Sequence, residues 1–352
     1  MVIKSRSVIA TPPGATIKEQ LVDRGMSQKE FADRMGMSEK HISKLINGEV
    51  QLTHEVALNL EMVLGLPAQF WDRLESIYRE KIIRATLENE MDEDIELSKK
   101  LPYREMAKNN WVSEAGTPQQ IVFNLRKYFE VARLALLQEN LIPGIACRRL
   151  SVTEKGDFAL IAWAQKAKID AREIETLPIN IKGLIDSLAE IKSMTMQDPE
   201  NFCPKLREKL ASCGIAIVFL PHINGSFLHG ATFYDGKKIV VGLTVRGKDA
   251  DRFWFSLFHE LGHIILGHVG KKDGTTEEDE YYADEFAKNE LIPEDALRKF
   301  VDNRDFSKSS IIRFARNIGI DVGIVVGRLQ KEGYIQYNWY NDLKTRYEIS
   351  LD

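Results

Sequence analysis

Residues 258–268 read FHELGHIILGH. His259 and His263 stand four apart, and Glu260 follows the first. Each helical residue turns the chain by about 100°, so positions four apart share nearly one face. On a helix, then, both imidazoles can point at one ion. H-E-x-x-H is the arrangement of zinc hydrolases: two ring nitrogens hold the cation, and one coordination position stays open for water. Glu260 would lie beside that water as general base. The opposing reading is an ordinary buried helix that happens to carry histidines. His268 is five residues past His263. Helical spacing turns it away, and it reads as a C-terminal or surface histidine rather than a ligand.

A third ligand has to come from elsewhere. EEDEYYADEFA, residues 277–287, is the next helical stretch. Glu280 and Asp284 share a face of it. Glu280 can complete a His-His-Glu set, and Asp284 can take the outer nitrogen of a ligand histidine. The alternative is an acidic helix start, with Glu277, Glu278, Asp279 and Glu280 favouring the positive end of the dipole. Tyr281, Tyr282 and His229 are candidates for a transition-state donor.

Upstream, PKLREKLASCG reads as a short helix, and IAIVFL, ATFYDG and KIVVGLTV read as strands, with YDGKK as the turn between the last two. A strand edge beside a zinc helix is a surface that an extended peptide can join.

These residues carry a resemblance. ATFYDGKKIVVGLTV, FWFSLFHELGHIILGH and EYYADEFAKNELIPE, in this order and spacing, resemble the ImmA/IrrE family of metallo-endopeptidases over about residues 203–345. The resemblance implies a zincin fold and bound Zn2+. It implies His259, His263 and Glu280 as ligands and Glu260 as the catalytic glutamate. Asp284 stands where relatives often have asparagine. Known members cut a transcriptional repressor and so release gene expression.

The N-terminal stretch GMSQKEFADRMGMSEKHISKLINGE has the layout of a helix-turn-helix. Ser27 and Glu30 make a capping box, Ala32 is small where helices cross, and Ser38 caps the second helix. Ile42 and Leu45 turn inward. Gln28, Ser38, Lys40, Ser43, Lys44 and Asn47 are the candidate DNA contacts. Residues 24–48 carry five basic and three acidic side chains, a weak electrostatic footprint. The competing reading is a protein-contact module of the same fold. From TPPG through GLPAQFWDRLESIY, about residues 10–82, the unit resembles HigA-type antitoxin repressors of the XRE class. That resemblance implies a homodimer on operator DNA and a possible toxin partner. IIRFARNIGIDVGIVVGRLQKEG, residues 311–333, has a similar rhythm and reads as packing within the C-terminal half.

The net charge of −4 argues against a wholly basic nucleic-acid coat protein. Cys147, Cys203 and Cys213 share no C-x-x-C spacing and read as reduced cytoplasmic thiols. The opening residues lack a signal-peptide pattern, and no apolar run is long enough for a membrane span.

The expected fold is α+β, in three parts. An all-helical helix-turn-helix domain occupies 1–85. An acidic linker (ENEMDEDIE, 88–96) and helical middle region occupy 86–200. A zincin-like domain, with a small three-stranded sheet over the HExxH helix, occupies 201–352. The expected function is a DNA-binding regulator whose zinc endopeptidase cuts a specific protein, a repressor or itself. The alternative is an antitoxin-type autorepressor with a structural or silent metal site.

Overall fold

The computed structural model describes residues 3–5, 8–139, 154–224, 229–244, 249–271 and 274–348. Cys147 lies outside the described residues, whereas Cys203 and Cys213 are free thiols. The chain divides into two compact units, 1–96 and 97–352.

The first unit opens with a short antiparallel pair, β1 (Ile3–Lys4) and β2 (Ile9–Ala10). Five helices follow: α1 (Gly14–Asp23), α2 (Gln28–Met35), α3 (Glu39–Asn47), α4 (His54–Leu64) and α5 (Ala68–Ser98). Local chemistry sets their starts. Ser27 Oγ accepts from the Glu30 N–H at 3.1 Å, Ser38 Oγ from His41 at 3.2 Å and Thr53 Oγ1 from Val56 at 3.3 Å. The capping box expected at α2 forms only this half, because the Glu30 carboxylate takes Arg34 one turn on, at 2.6 Å. Phe31, Ala32, Ile42, Leu45, Leu60 and Trp71 close the core. The first unit ends with the acidic stretch 88–96. It lies within α5, its backbone in helical hydrogen bonds.

In the second unit the middle region is helical: α6 (Tyr103–Lys108), α7 (Pro118–Phe129), α8 (Leu136–Glu139), α9 (Glu154–Arg172), α10 (Ile181–Ser193) and α11 (Pro199–Ala211). In PQQIVFNLRKYFEVARLALLQE, residues 118–139, helical spacing runs on from Ile121, Leu125, Tyr128 and Phe129 through Ala132 and Leu136, but α7 stops at Phe129. Glu130 takes φ 57, and the N–H groups of Glu130 and Val131 turn back to the Lys127 and Arg126 carbonyls.

The sheet consists of β3 (Ile215–Phe219), β4 (Gly230–Asp235) and β5 (Lys238–Leu243), in the order β3-β5-β4. β3 runs parallel to β5, and β4 returns antiparallel, with Asp235 opposite Lys238 across the turn expected from YDGKK. Helix α9 packs on this sheet. The remaining helices are α12 (Ala250–Ile265), α13 (Glu277–Leu291), α14 (Glu294–Asp302), α15 (Lys308–Ile318) and α16 (Val322–Lys331).

Helix α12 is the central element of the unit. Its apolar side chains Phe253, Trp254, Leu257, Phe258 and Leu261 are buried. It touches β4, β5, α10, α13 and α16. Helix α16 buries Ile324, Val325, Val326 and Leu329, and packs on both α12 and α15. The helix-turn-helix rhythm of 311–333 thus belongs to the packing of this unit. No helix among the described residues is long and apolar enough to cross a membrane.

Trp254 is fully buried between Phe202 and Phe253, and its Nε1–H donates to Tyr347 Oη at 3.1 Å. Trp254→Ala should destabilise this unit by about 3–5 kcal/mol through cavity formation. Tyr347→Phe, which leaves the buried indole N–H without its acceptor, should cost about 1–3 kcal/mol. Denaturant unfolding followed by intrinsic fluorescence measures both, and an equal loss for the two would contradict the packing argument.

Candidate metal centre

The apolar stripe that buries α12 also carries three polar residues into the interior: Glu260 and His263 are buried and His259 nearly so. Helix α13 crosses at this level. Its start is fixed by a full capping box between Thr276 and Asp279, which delivers the following residue, Glu280, to the two imidazoles. His259 Nε2 and His263 Nε2 are 3.0 Å apart. Glu280 Oε2 lies 3.4 Å from His259 Nε2, and its Oε1 lies 3.4 Å from His263 Nε2. A tetrahedral ion with ligands at 2.0–2.2 Å separates those ligands by roughly 3.3–3.6 Å. The two carboxylate–imidazole separations fall in this range and the imidazole–imidazole one is a little shorter, so a small movement of one ring would fit the three to one face of such a shell. They are the His-His-carboxylate group whose ligand atoms lie within 4.8 Å of one another.

Each of these residues is itself held. His259 Nδ1–H donates to Asp284 Oδ1 at 2.9 Å, the outer bond expected from the spacing of α13. Thr275 Oγ1 donates to Glu280 Oε1 at 2.5 Å. Thr232 of β4 donates to Glu260 Oε2, also at 2.5 Å. A Cβ on Gly230 would come within 2.6 Å of Glu260 Oε1, so the strand can approach this carboxylate only as glycine.

Spacing alone turned His268 away, and the structure corrects this. Helix α12 ends at Ile265, and Gly267 takes φ 73. The Gly267 N–H then bonds to the Ile264 carbonyl and the His268 N–H to the His263 carbonyl, a Schellman reversal. His268 folds back rather than continuing outward. It is 8% exposed, and its Nδ1 stands 3.1 Å from His263 Nδ1.

Burial and charge oppose each other here. Burial pushes His259 toward its neutral form, but the bonds to Asp284 and Glu280 outweigh it and raise its pKa to about 10. Burial likewise opposes ionisation of Glu280, but the bonds to His259, His263 and Thr275 hold its carboxyl well below the usual range. Asp284 is lowered too, burial being overcome by His259. Glu260 goes the other way. Its burial raises its pKa, although His259, His263 and Thr232 pull down.

A cleft of about 500 Å³ opens onto the site. It runs from His229 and Gly230 along Phe255, His259 and Glu260 to Ile324 and Lys331 of α16. His229 thus lies where a donor could act. Tyr281 and Tyr282 are half-exposed, pack edge to face on each other, and are not part of the cleft wall.

In the first unit, Gln28, Ser38, Lys40 and Lys44 are exposed, and Ser43 and Asn47 are half-buried along α3. Ser38 serves as the helix cap through its Oγ, so its hydroxyl proton is what remains to offer.

Comparison with known proteins agrees with this division. Residues 17–71 match the helix-turn-helix family model, and residues 217–330 match that of the IrrE N-terminal-like domain, a peptidase family. The first region is also similar to YddM, an uncharacterized HTH-type transcriptional regulator of Escherichia coli (strain K12). The two are 35% identical over 66 residues, which is 19% of this chain and 70% of that protein.

The charge balance predicts proton release on metal uptake. A raised His259 pKa contributes stability that is complete below the unfolded histidine value and lost as pH rises through about 10. The lowered Glu280 and Asp284 contribute stability present above the unfolded carboxylate values and lost on acidification. Between these limits His259 holds a proton that a cation must displace. Titration of Zn2+ into metal-free protein at pH 7 should release about one proton per site, read from the dependence of calorimetric heat on buffer ionisation enthalpy. A buffer-independent heat would mean that His259 is already neutral.

Proposed function

We propose, for a chain that belongs to the helix-turn-helix regulators at residues 17–71 and carries an IrrE N-terminal-like peptidase domain at residues 217–330, a transcriptional regulator whose second unit is a zinc endopeptidase for one protein partner. The observation that carries this reading is Glu260. A buried carboxylate held by Thr232 next to a three-ligand set has no use in a purely structural site. It is the group that hydrolysis requires.

His259, His263 and Glu280 hold the ion, with Asp284 fixing the orientation of the first imidazole. When bound, zinc supplies a Lewis acid that polarises a carbonyl and acidifies a water molecule. Glu260 receives the proton of the attacking water and passes it to the leaving amine. Its burial raises its pKa toward the range in which it can do both. Among the described residues, β4 pairs within the sheet on one side only, with β5. Its first residue, Gly230, lines the cleft, so an extended peptide adding to this edge runs into the site. His229, immediately before it, also lines the cleft, and of the candidate donors it is the one we assign to the developing oxyanion.

In the first unit Lys40 and Lys44 meet phosphates, and Gln28, Ser38, Ser43 and Asn47 supply polar groups at the groove. A homodimer on a palindromic operator, a repressor or this chain itself as the peptide cut, a toxin partner and a cytoplasmic location complete the proposal.

Glu260→Gln keeps size and ligands while removing the base, so it should retain zinc and DNA binding and lose cutting by at least about a hundredfold. Comparing the proteins of cells carrying wild type and Glu260→Gln should show one partner cleaved only with wild type. Identical protein patterns and identical gene expression in every condition tested would leave a metal site without catalysis.

Lys44→Ala should weaken DNA binding across sequences and flatten its dependence on salt by about one unit of slope. Fluorescence anisotropy of the full chain on its own upstream DNA at several salt concentrations measures this. Unchanged slope and affinity would assign α3 to a protein contact.

A further inference from the structure

His259 is oriented by a carboxylate, but His263 is oriented by another histidine. We propose that His268, backed by Asp279, is a positioning residue that holds His263 in the tautomer a metal ligand needs. The inference rests on the proposed metal centre and deepens it.

A histidine that ligates through Nε2 must present a lone pair there and carry its proton on Nδ1. That proton needs an acceptor in a buried place. His263 is fully buried, and its Nδ1 faces His268 Nδ1 at 3.1 Å. To accept, His268 must keep Nδ1 unprotonated and carry its own proton on Nε2. Its Nε2 in turn lies 3.4 Å from Asp279 Oδ1. Asp279 is anchored by Lys271 Nζ at 2.6 and 2.8 Å and by the Thr276 N–H at 3.0 Å. One assignment of protons suits both contacts: His263 Nδ1–H donates to His268 Nδ1, and the proton on His268 Nε2 faces the Asp279 carboxylate as a charge contact at 3.4 Å.

The backbone enforces the arrangement. The Schellman reversal at Gly267 bonds His268 N–H to the carbonyl of the same His263, so ring and main chain are joined twice. Asp279 also caps α13, directly before Glu280. The line of contacts therefore runs from one member of the ligand set, through His268, to the residue that places another. It ties the end of α12 to the start of α13 at the point where the two must agree in position.

The test is Zn2+ affinity of the full-length protein, by competition with a chromogenic chelator, for wild type, His268→Leu and His268→Asn. Leu removes the acceptor and should weaken zinc about ten- to a hundredfold, the usual effect of losing an outer partner. Asn offers an amide oxygen near the position of Nδ1 and should recover most of that loss. Melting of the metal-free proteins is read in parallel, because a merely structural role would separate the variants there and not in zinc affinity. Wild-type affinity in the Leu variant, or an Asn variant as weak as Leu at equal metal-free stability, would overturn the role of His268. Should the Leu variant not fold, Asp279→Asn carries the test: it leaves His268 in place, and zinc affinity should fall several-fold. Unchanged affinity there overturns the proposal. A wild-type protein that holds no zinc would instead remove the centre itself.

Discussion

A carboxylate between two imidazoles, largely removed from water, is the constraint on which the second unit depends. Glu280 and His263 are both buried, and His259 nearly so. Uncompensated burial of such groups costs several kcal/mol each. Compensation comes from mutual contact, from Thr275 and Asp284, and in the proposed function from a cation. Any shift of α13 relative to α12 breaks these contacts together. The two helices are correspondingly locked at their near ends, by the reversal at Gly267 on one side and by the Thr276–Asp279 capping box on the other.

The rest of the unit can be understood as support for that crossing. The aromatic group of Phe202, Phe253, Trp254 and Tyr347 fixes the first half of α12. Strand β4 brings Thr232 to Glu260, and the bare Cα of Gly230 admits the carboxylate beside it. Helix α16 packs on α12 and contributes Ile324, Gly327 and Lys331 to the wall of the cleft. Glu260 differs from its neighbours in what its environment does to it. Glu280 is held ionised by its neighbours, whereas burial favours the protonated form of Glu260. Two carboxylates that feel the charge of the same histidines are thereby held in opposite protonation tendencies.

The first unit is held by a separate core, Phe31, Ile42, Leu60 and Trp71 among it. In this unit α2, α3 and α4 owe their starts to hydroxyl caps on the residue just before them. That is why it is legible from local pattern. Small polar caps, an alanine at the crossing and apolar residues three and four apart are each read within one turn of chain. The failure of the reciprocal Glu30 bond shows where the method stops. A side chain with two satisfactory partners is not assigned by spacing, and Arg34 one turn away won.

The sequence by itself determined what depends on periodicity and neighbours. It placed His259, Glu260 and His263 on one helix, Glu280 and Asp284 on one face of the next, three short strands before them, and a helix-turn-helix at the start. Periodicity could not say that α7 stops at Phe129, since the reversal at Glu130 needs a left-handed non-glycine residue that carries no compositional mark. Nor could it find Thr232 and Thr275, which are ordinary threonines until strand and loop bring them within 2.5 Å of a carboxylate. His268 is the sharpest case. Helical spacing sends it outward, and only the termination of α12 at Ile265, with Gly267 in a conformation that side-chain-bearing residues rarely adopt, returns it to His263. Local pattern records which face a residue takes while a helix continues, but where the helix ends and what then meets across space is decided by the tertiary packing that must satisfy every buried polar group.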